Sequence, residues 1–341
     1  MTNFSGVSAL AINSSGHIFV GTDRGVVFRS TNNGDSWAAI HIGLTITNTT
    51  IRSLAINSSG HIFAGTFSKG VFRSTNNGDN WMAVNSGLTN IDIRSFAINS
   101  SGHIFAGTGG GIFRSTDNGM SWSQINTGLT NTDVYALAIS PGNGHIFAGT
   151  YGSGVFRSCD NGESWSITGL TNTNVLTLVI NSNGHILAGT NNGVFHSTDN
   201  GANWSPINSG LINTNVNALA IGRDGHIFAG TNGSAFRSAK PITTTGEEIS
   251  SSIPALFSLE QNYPNPFNPS TTIQFNLAKR MTVNLKVFDV SGREVATLVD
   301  ETLGPCTYKV VFEANSLPGG VYFYRLEAGE FMQTKKLVAI K

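Results

Sequence analysis

Carboxylates recur at one fixed position in this 341-residue sequence. Asp117, Asp160 and Asp199 are each the third residue of the frame Ser-x-Asp/Asn-x-Gly-x-x-Trp. A carboxylate at such a place could act as a general acid or base, or it could accept hydrogen bonds from its own turn. Two further copies carry Asn32 and Asn76 instead. Because an amide cannot exchange a proton as a carboxylate does, we interpret this position as a turn acceptor.

The other residues of the frame also favour a structural turn. Its glycine permits a left-handed backbone, and its tryptophan offers a large apolar face that can pin a hairpin onto a sheet. We therefore predict a structural role for the acceptor and the tryptophan of every copy. These ten residues are Asn32, Trp37, Asn76, Trp81, Asp117, Trp122, Asp160, Trp165, Asp199 and Trp204.

A second signal, Gly-His-Ile, marks the period of the repeat. Its histidines are spaced by 40 to 44 residues, at His17, His61, His103, His145, His185 and His226. Each unit reads as four short strands separated by turns rich in Gly and Asn, without a helical period. A four-stranded unit of about 40 residues is typical of a β-propeller blade. A β-solenoid is the alternative, but its rungs are shorter.

The sixth unit departs from the pattern, because the frame is absent after Ser238 and the unit breaks at Lys240. We predict an all-β chain whose residues 1–238 form a β-propeller of about six four-stranded blades, the last one incomplete. Residues 1–6 could supply part of the missing strand and close the ring. Upstream truncation of a larger ring is the alternative.

The units differ most where the second strand turns into the third and where one unit is linked to the next. Because successive strands alternate in direction, these segments share one edge of the predicted blades. Loops on a rigid scaffold commonly carry function, so we predict a ligand or partner site here. The candidate residues are Arg24, Arg52, Phe67, Lys69, Asp92, Arg94, Asp133, Tyr135 and Tyr151. Ordinary variation between solvated loops is the alternative.

Two carboxylates among these candidates raise the question of glycoside hydrolysis, which needs two carboxyl groups roughly 5–10 Å apart. Asp92 and Asp133 lie in matching loops of adjacent units. Glu163 lies in a frame turn, and therefore at the opposite edge. We expect a binding or interaction module, assign no catalytic residue and expect no cofactor.

The frame resembles the Asp-box, also called the BNR repeat, of sialidase-like propellers. That resemblance implies a propeller in which the frame lies away from the substrate site. Sialidases of this fold use three arginines, a Tyr–Glu pair and an Asp acid, and Arg24, Arg52 and Arg94 lie at the variable edge. A secreted glycoside hydrolase of sialidase or xyloglucanase type is therefore the alternative function.

The composition changes after the repeats. Residues 239–256 are rich in Thr and Ser and read as a linker. Residues 257–341 contain short alternating strands, such as Val283-Asn284-Leu285-Lys286-Val287, and predict a small β-sandwich.

This C-terminal module resembles the type A C-terminal sorting domain of the type IX secretion system, which has an Ig-like fold. The matching segments are Asn262-Tyr263-Pro264-Asn265-Pro266-Phe267-Asn268-Pro269, Val287-Phe288-Asp289-Val290-Ser291-Gly292-Arg293, Leu317-Pro318-Gly319-Gly320-Val321-Tyr322-Phe323-Tyr324 and Lys335-Lys336-Leu337-Val338. The resemblance implies recognition of residues 257–341 by the translocon. It also implies a secreted or cell-surface location outside a bacterial outer membrane.

Charge and hydropathy limit the kinds of partner that we expect for this chain. Twenty Lys and Arg balance twenty Asp and Glu, which argues against nucleic-acid binding. No apolar run is long enough to be a transmembrane segment. The repeated histidines are spread around a ring, so we expect no metal site. We expect a monomer that binds a glycan or a surface protein. A signal peptide is not present in this chain, so we expect a truncated N-terminus.

Overall fold

The computed structural model describes residues 6–41, 43–44, 49–242, 257–279, 281–303, 306–314 and 317–340. It divides the chain into two compact units, Met1–Glu247 and Glu248–Lys341. Most of the expected linker, and the first five residues of the segment expected to complete the last blade, lie outside the described residues.

The described residues of the first unit form six antiparallel sheets in chain order, which we call blades one to six. Blades one to three contain β1 (Val7–Ile12), β2 (Ile18–Thr22), β3 (Val27–Ser30), β4 (Ala38–Ala39), β5 (Ile51–Ile56), β6 (Ile62–Thr66), β7 (Val71–Ser74), β8 (Met82–Ala83), β9 (Ile93–Ile98), β10 (Ile104–Thr108), β11 (Gly111–Ser115) and β12 (Ser123–Gln124). Blades four to six contain β13 (Val134–Ile139), β14 (Ile146–Thr150), β15 (Gly154–Ser158), β16 (Ser166–Ile167), β17 (Val175–Ile180), β18 (Ile186–Thr190), β19 (Gly193–Ser197), β20 (Ser205–Pro206), β21 (Val216–Ile221), β22 (Ile227–Thr231) and β23 (Ala235–Arg237).

Each blade is an up-and-down meander. Blades one to five pair four strands in sequence order, and the described part of blade six pairs three. The second strands of blades two to five are buried along their whole length. Such continuous burial arises because a sheet packs on each face of the strand. This arrangement confirms the predicted all-β architecture of four-stranded units.

Neighbouring blades interlock through a glycine in the second strand. A Cβ atom placed on Gly65 would lie 2.5 Å from Ile93 Cγ2 of the next blade, and one on Gly107 would lie 2.8 Å from Val134 Cγ1. The glycine therefore forms a hole that receives the first residue of the next blade. The same contact recurs for Gly21 with Ile51, Gly149 with Val175, and Gly189 with Val216.

In the second unit, the part of the chain that the structure describes forms two antiparallel sheets. One pairs β24 (Ser258–Leu259), β25 (Ser270–Leu277) and β28 (Cys306–Glu313), and the other pairs β27 (Glu294–Leu303), β26 (Met281–Phe288), β29 (Gly320–Ala328) and β30 (Phe331–Ala339) in that order. Alternate residues are buried along β25 and β29, as expected for sheets with one apolar face.

A buried tyrosine fastens the start of the second unit to its larger sheet. Tyr324 is fully buried, its hydroxyl donates to the Glu260 carbonyl at 2.7 Å, and the Asn262 backbone N–H donates to it at 2.8 Å. Burial raises the pKa of Tyr324 to about 12. Because the phenol stays protonated, it keeps its donor at any ordinary pH.

The glycine holes yield a stability prediction. The variant Gly65→Ala should lower the free energy of unfolding of the first unit by about 1–3 kcal/mol, because its new methyl group would overlap Ile93. The matched variant Gly230→Ala, at the same place in blade six, should change it by less than about 0.5 kcal/mol. There a Cβ atom would lie 3.4 Å from Ala218 Cβ of its own blade.

Urea unfolding followed by tryptophan fluorescence measures the difference. All five tryptophans lie in the repeats, so the signal reports the first unit alone. Equal midpoints for the two variants would contradict the interlocking contact.

Candidate functional site

The turns between second and third strands lie at the same edge of the first unit as the links between blades. The Phe67 N–H donates to the Thr50 carbonyl at 3.0 Å, and the Tyr151 N–H donates to the Asp133 carbonyl at 3.0 Å. The Gly70 N–H donates to the carbonyl of Ile91 in the following link at 3.1 Å. Each turn is thus held between an incoming and an outgoing link. We call this side of the unit the variable edge.

Three candidate residues occupy β-bulges at the start of a blade's first strand. The register shifts across Arg52 in β5, across Arg94 in β9 and across Tyr135 in β13. A bulge leaves its extra residue outside the regular ladder and can re-aim its side chain. The bulge recurs in the other blades, so the fold presents one variable side chain per blade at this edge.

Ion pairs join these side chains across blades two to four. Arg52 Nη1 lies 2.9 Å from Asp92 Oδ1, and Arg94 Nε lies 3.0 Å from Asp92 Oδ2. The Nη1 atom of Arg94 also donates to Asp133 Oδ1. Asp92 and Asp133 are oriented in turn by an asparagine two residues earlier, whose side-chain oxygen accepts their backbone N–H. Each arginine therefore bonds to a carboxylate of the next blade.

Aromatic rings extend this row of charges. The Cζ atom of Arg52 lies 4.2 Å from the centroid of the Phe67 ring, and that of Arg94 lies 4.2 Å from the Tyr135 ring. Tyr135 contacts Tyr151 with ring centroids 5.5 Å apart. Phe67 is 47% exposed and Tyr151 is 49% exposed. The row thus ends on both sides in an aromatic ring open to solvent.

Seven of the nine candidate residues belong to this row, which we call the Arg–Asp row. They are Arg52, Phe67, Asp92, Arg94, Asp133, Tyr135 and Tyr151. Arg24 and Lys69 are exposed at the same edge, and among the described residues no side-chain hydrogen bond, ion pair or ring contact joins either of them to the row. Arg52 and Arg94 meet at Asp92, and Arg24 has no such contact with either of them among the described residues.

The row carries no net charge, because two arginines face two aspartates. Burial alone would lower the pKa of Arg94, but hydrogen bonds and the charges of Asp92 and Asp133 outweigh it and raise that pKa. Arg94 is thus a fixed cation, and both oxygens of Asp92 accept N–H bonds. In the described part of the chain, no group of three or more His, Cys, Asp or Glu side chains could hold a metal ion. The arrangement suits recognition by stacking and hydrogen bonding.

The repeated frame lies at the opposite edge, which we call the constant edge. Asp117 Oδ1 accepts bonds from Ser115 Oγ at 2.8 Å and from the Ser121 backbone N–H at 2.9 Å. Asn32 Oδ1 accepts the equivalent bonds from Ser30 Oγ and the Ser36 N–H. An acid and an amide therefore hold the same turn.

Sequence reasoning missed the residue that follows each acceptor. It is an asparagine with positive φ in all five frames. The carbonyl of Asn77 accepts a bond from Arg29 of the preceding blade at 2.7 Å, and its side-chain oxygen accepts one from Asn13 at 3.1 Å. Arg73, Arg114 and Arg157 bond in the same way to Asn118, Asn161 and Asn200. The frame thus also joins one blade to the next through hydrogen bonds. The asparagine that is present in all five frames was the sequence signal for this contact.

The tryptophans of blades two to four also form hydrogen bonds between adjacent blades. The Nε1 atoms of Trp81, Trp122 and Trp165 donate to carbonyls in the preceding blade, at Ile40, Val84 and Ile125. Trp37 and Trp204 instead donate to a glycine carbonyl in their own turn.

Comparison with protein families matches both units. Residues 261–341 match the secretion system C-terminal sorting domain, and residues 93–220 match the DUF6242 beta propeller domain. No curated protein matched the sequence.

Solved structures with low sequence identity share the fold. The extracellular domain of the putative hybrid two component system BT3049 from B. thetaiotaomicron aligns with a TM-score of 0.58 and 14% identity, over 99% of this chain and 56% of that one. YCF48 from Cyanidioschyzon merolae aligns with a TM-score of 0.56 and 13% identity, over 91% and 97%. YCF48 bound to D1 peptide aligns with a TM-score of 0.55 and 16% identity, over 70% and 79%. The chain thus spans little more than half the length of the first of these structures.

These matches define the chain as a β-propeller followed by a secretion sorting domain. It is a secreted or cell-surface protein, exported through the type IX secretion system by its C-terminal domain. In the described residues, no helix is long and apolar enough to cross a membrane.

The frame contacts yield a prediction about Asp117. The variant Asp117→Asn should change the free energy of unfolding by less than about 0.5 kcal/mol at neutral pH, since the chain itself uses asparagine there. In blade one, Asn32 Nδ2 donates to Ser36 Oγ at 2.9 Å. In the Asp117→Asn variant, Ser121 Oγ would therefore accept a hydrogen bond from the amide, whereas it now donates one to the carboxylate. Asp117→Ala should cost about 1 kcal/mol, because the turn loses its acceptor.

The pH dependence of stability should differ between the natural protein and the Asp117→Asn variant. Burial would raise the pKa of Asp117, but bonds from Ser121 and Ser115 outweigh it and lower that pKa. A lowered pKa contributes stability above the unfolded value of about 3.9 that is lost as pH falls through the folded value. Asp117→Asn should therefore lose less stability than the natural protein on acidification below that value. Urea unfolding across this range measures it, and equal losses would contradict the inference.

Proposed function

We propose that the propeller is a binding module whose ligand lies against the variable edge of blades two to four. The observation that carries this proposal is the Arg–Asp row, which spans three blades and ends in the half-exposed rings of Phe67 and Tyr151. Rings and arginines fixed by packing are typical anchors of binding interfaces. Because the row is held by its own ion pairs, little side-chain freedom is lost on binding.

We infer that the ligand is a segment of another surface protein. The row has no net charge, and Ile91, in the link next to the Phe67 turn, is 44% exposed. Aromatic and aliphatic side chains beside paired charges suit a polypeptide with mixed polar and apolar residues. Among the similar folds, YCF48 has been solved bound to a peptide.

A glycan is the second candidate ligand. The solvent-exposed ring of Tyr151 could stack against a sugar ring, and the adjacent Asn131 side chain already bonds to the Tyr151 carbonyl at 2.8 Å. An anionic sugar such as a sialoside is less suitable, since both arginines of the row are neutralised by aspartates.

Glycoside hydrolysis has less support as a function. Asp92 uses both oxygens to bind arginines, so it is placed as a counter-ion. Glu163 lies at the constant edge, where it is paired with Arg114 at 2.7 Å and is 65% exposed. The two-carboxylate mechanism requires a general acid and a base or nucleophile, whereas Asp92 and Asp133 are both paired with Arg94.

We also propose the finer assignments of the two units. The repeats are of the Asp-box, or BNR, class, supported by the five turns in which Asp or Asn accepts from the frame serine. The C-terminal unit is an Ig-like sandwich, supported by its antiparallel sheets of three and four strands.

The proposal predicts loss of binding in the double variant Phe67→Ala, Tyr151→Ala. Screens of the full chain on peptide and glycan arrays should identify a ligand, and the double variant should bind it at least about tenfold more weakly, as expected for two anchor residues. The control is Met120→Ala, which removes a side chain 51% exposed at the constant edge. It should bind like the natural protein.

The outcomes separate the candidates. Binding on the peptide array alone supports the protein ligand, and binding on the glycan array alone supports the second candidate. A ligand whose affinity is unchanged in the double variant would place the binding surface elsewhere.

A further inference from the structure

Blade five differs from the other blades in one residue type at the constant edge. Its third strand carries His196 where the other five blades carry an arginine. These arginines are Arg29, Arg73, Arg114, Arg157 and Arg237. His185, from the Gly-His-Ile stretch of blade five, lies beside His196 with ring centroids 5.3 Å apart. We call these two residues the histidine pair.

In other blades, both positions of the pair bind the frame of the next blade. The arginine donates to the carbonyl of the frame asparagine, as Arg157 does to Asn200 at 3.1 Å. The Gly-His-Ile histidine bonds to the side chain of the same asparagine in blade three, where His103 Nδ1 lies 2.9 Å from Asn161 Nδ2. Blade six has no frame, so blade five lacks this asparagine as a partner.

Apolar packing lies behind the histidine pair. Leu187 and Val194 of blade five share a cluster with Ile227 and Ala229 of blade six, and Ile242 packs against that cluster. Between blades five and six, the frame bonds that accompany such packing at the other boundaries are missing. The histidine pair therefore adjoins a boundary that depends on apolar contacts at the constant edge.

Two nitrogen atoms of the pair are buried without a hydrogen bond among the described residues. They are His185 Nδ1 and His196 Nε2. A neutral imidazole loses little by such burial, whereas a protonated ring loses the hydration of a full charge. Burial therefore lowers the pKa of both histidines, and the charge of His185 lowers the pKa of His196 further.

The neighbouring charged groups do not offset a charge on the pair. Asp199 of blade five accepts bonds within its own frame, and Asp224 of blade six is paired with His226 and Arg237. In the described part of the chain, His185 is the one charged group that shifts the pKa of His196. The remaining titratable groups on the adjoining parts of blades four and six are basic, namely His145, Arg157, Arg223 and Lys240.

We propose that the histidine pair makes the boundary between blades five and six open in response to acid. A proton on either ring places an unpaired charge beside the apolar cluster, and opening of the boundary returns that charge to water. The other boundaries keep their frame bonds and stay closed. Local opening of this kind is separate from unfolding of the whole unit.

The sign of the response follows from the lowered pKa values. The closed boundary binds fewer protons than the open one, so the pair contributes its full stability above the value of about 6.5 for a solvated histidine. That stability is lost as pH falls from there through the lower values of the closed state. The response thus lies in the mildly acidic range in which histidines act as switches.

Hydrogen exchange of the full chain, measured by mass spectrometry, tests the proposal. The double variant His185→Gln, His196→Gln keeps two polar side chains that do not titrate. The ratio of exchange rates in β21 to β23, natural protein over double variant, should rise at least about fivefold between about pH 7.5 and about pH 5.5. Comparison at equal pH cancels the pH dependence of the exchange chemistry itself.

A matched control and a second variant accompany this measurement. His61→Gln removes the histidine at the same place in blade two, where Arg73 stands in the position of His196. Its ratio for β21 to β23 should not change with pH. His196→Arg restores the repeated arginine without a frame to receive it, so it should speed exchange in blade six already at about pH 7.5. This variant also provides the test if the double variant does not fold.

Three results would overturn the proposal. One is a ratio for blade six that is the same at both pH values. Another is an equal rise in blades two and three, since the acid response would then not belong to this boundary. The third is natural exchange in His196→Arg at about pH 7.5, because a charge at this place would then be tolerated.

Discussion

The contact between adjacent blades is the interaction on which the rest of this structure depends. A four-stranded sheet with two apolar faces cannot be stable in water alone, and it becomes stable when a sheet covers each face. The second-strand glycine allows the close approach, because any larger residue would hold the next blade away. At the constant edge, the frame asparagine receives an arginine from the preceding blade. Packing and polar contacts thus fix the same rotation.

That fixed rotation also makes the variable edge a rigid surface. Arg52 and Asp92 belong to different blades, and they meet at 2.9 Å only because the blades hold one relative orientation. The aromatic rings then stack on guanidinium groups that are already held in place. A site of this kind can recognise a ligand without first being ordered, which lowers the entropic cost of binding.

Much of this organisation could be predicted from the sequence, because the repeat carries its own signals. The 40 to 44-residue period indicated the blades. The frame position that holds Asp117 in one repeat and Asn32 in another indicated a turn acceptor. Comparison between units also pointed to the positions of the Arg–Asp row. The pairs themselves were not predictable, since they depend on the rotation between blades and on a bulge that re-aims Arg52 and Arg94.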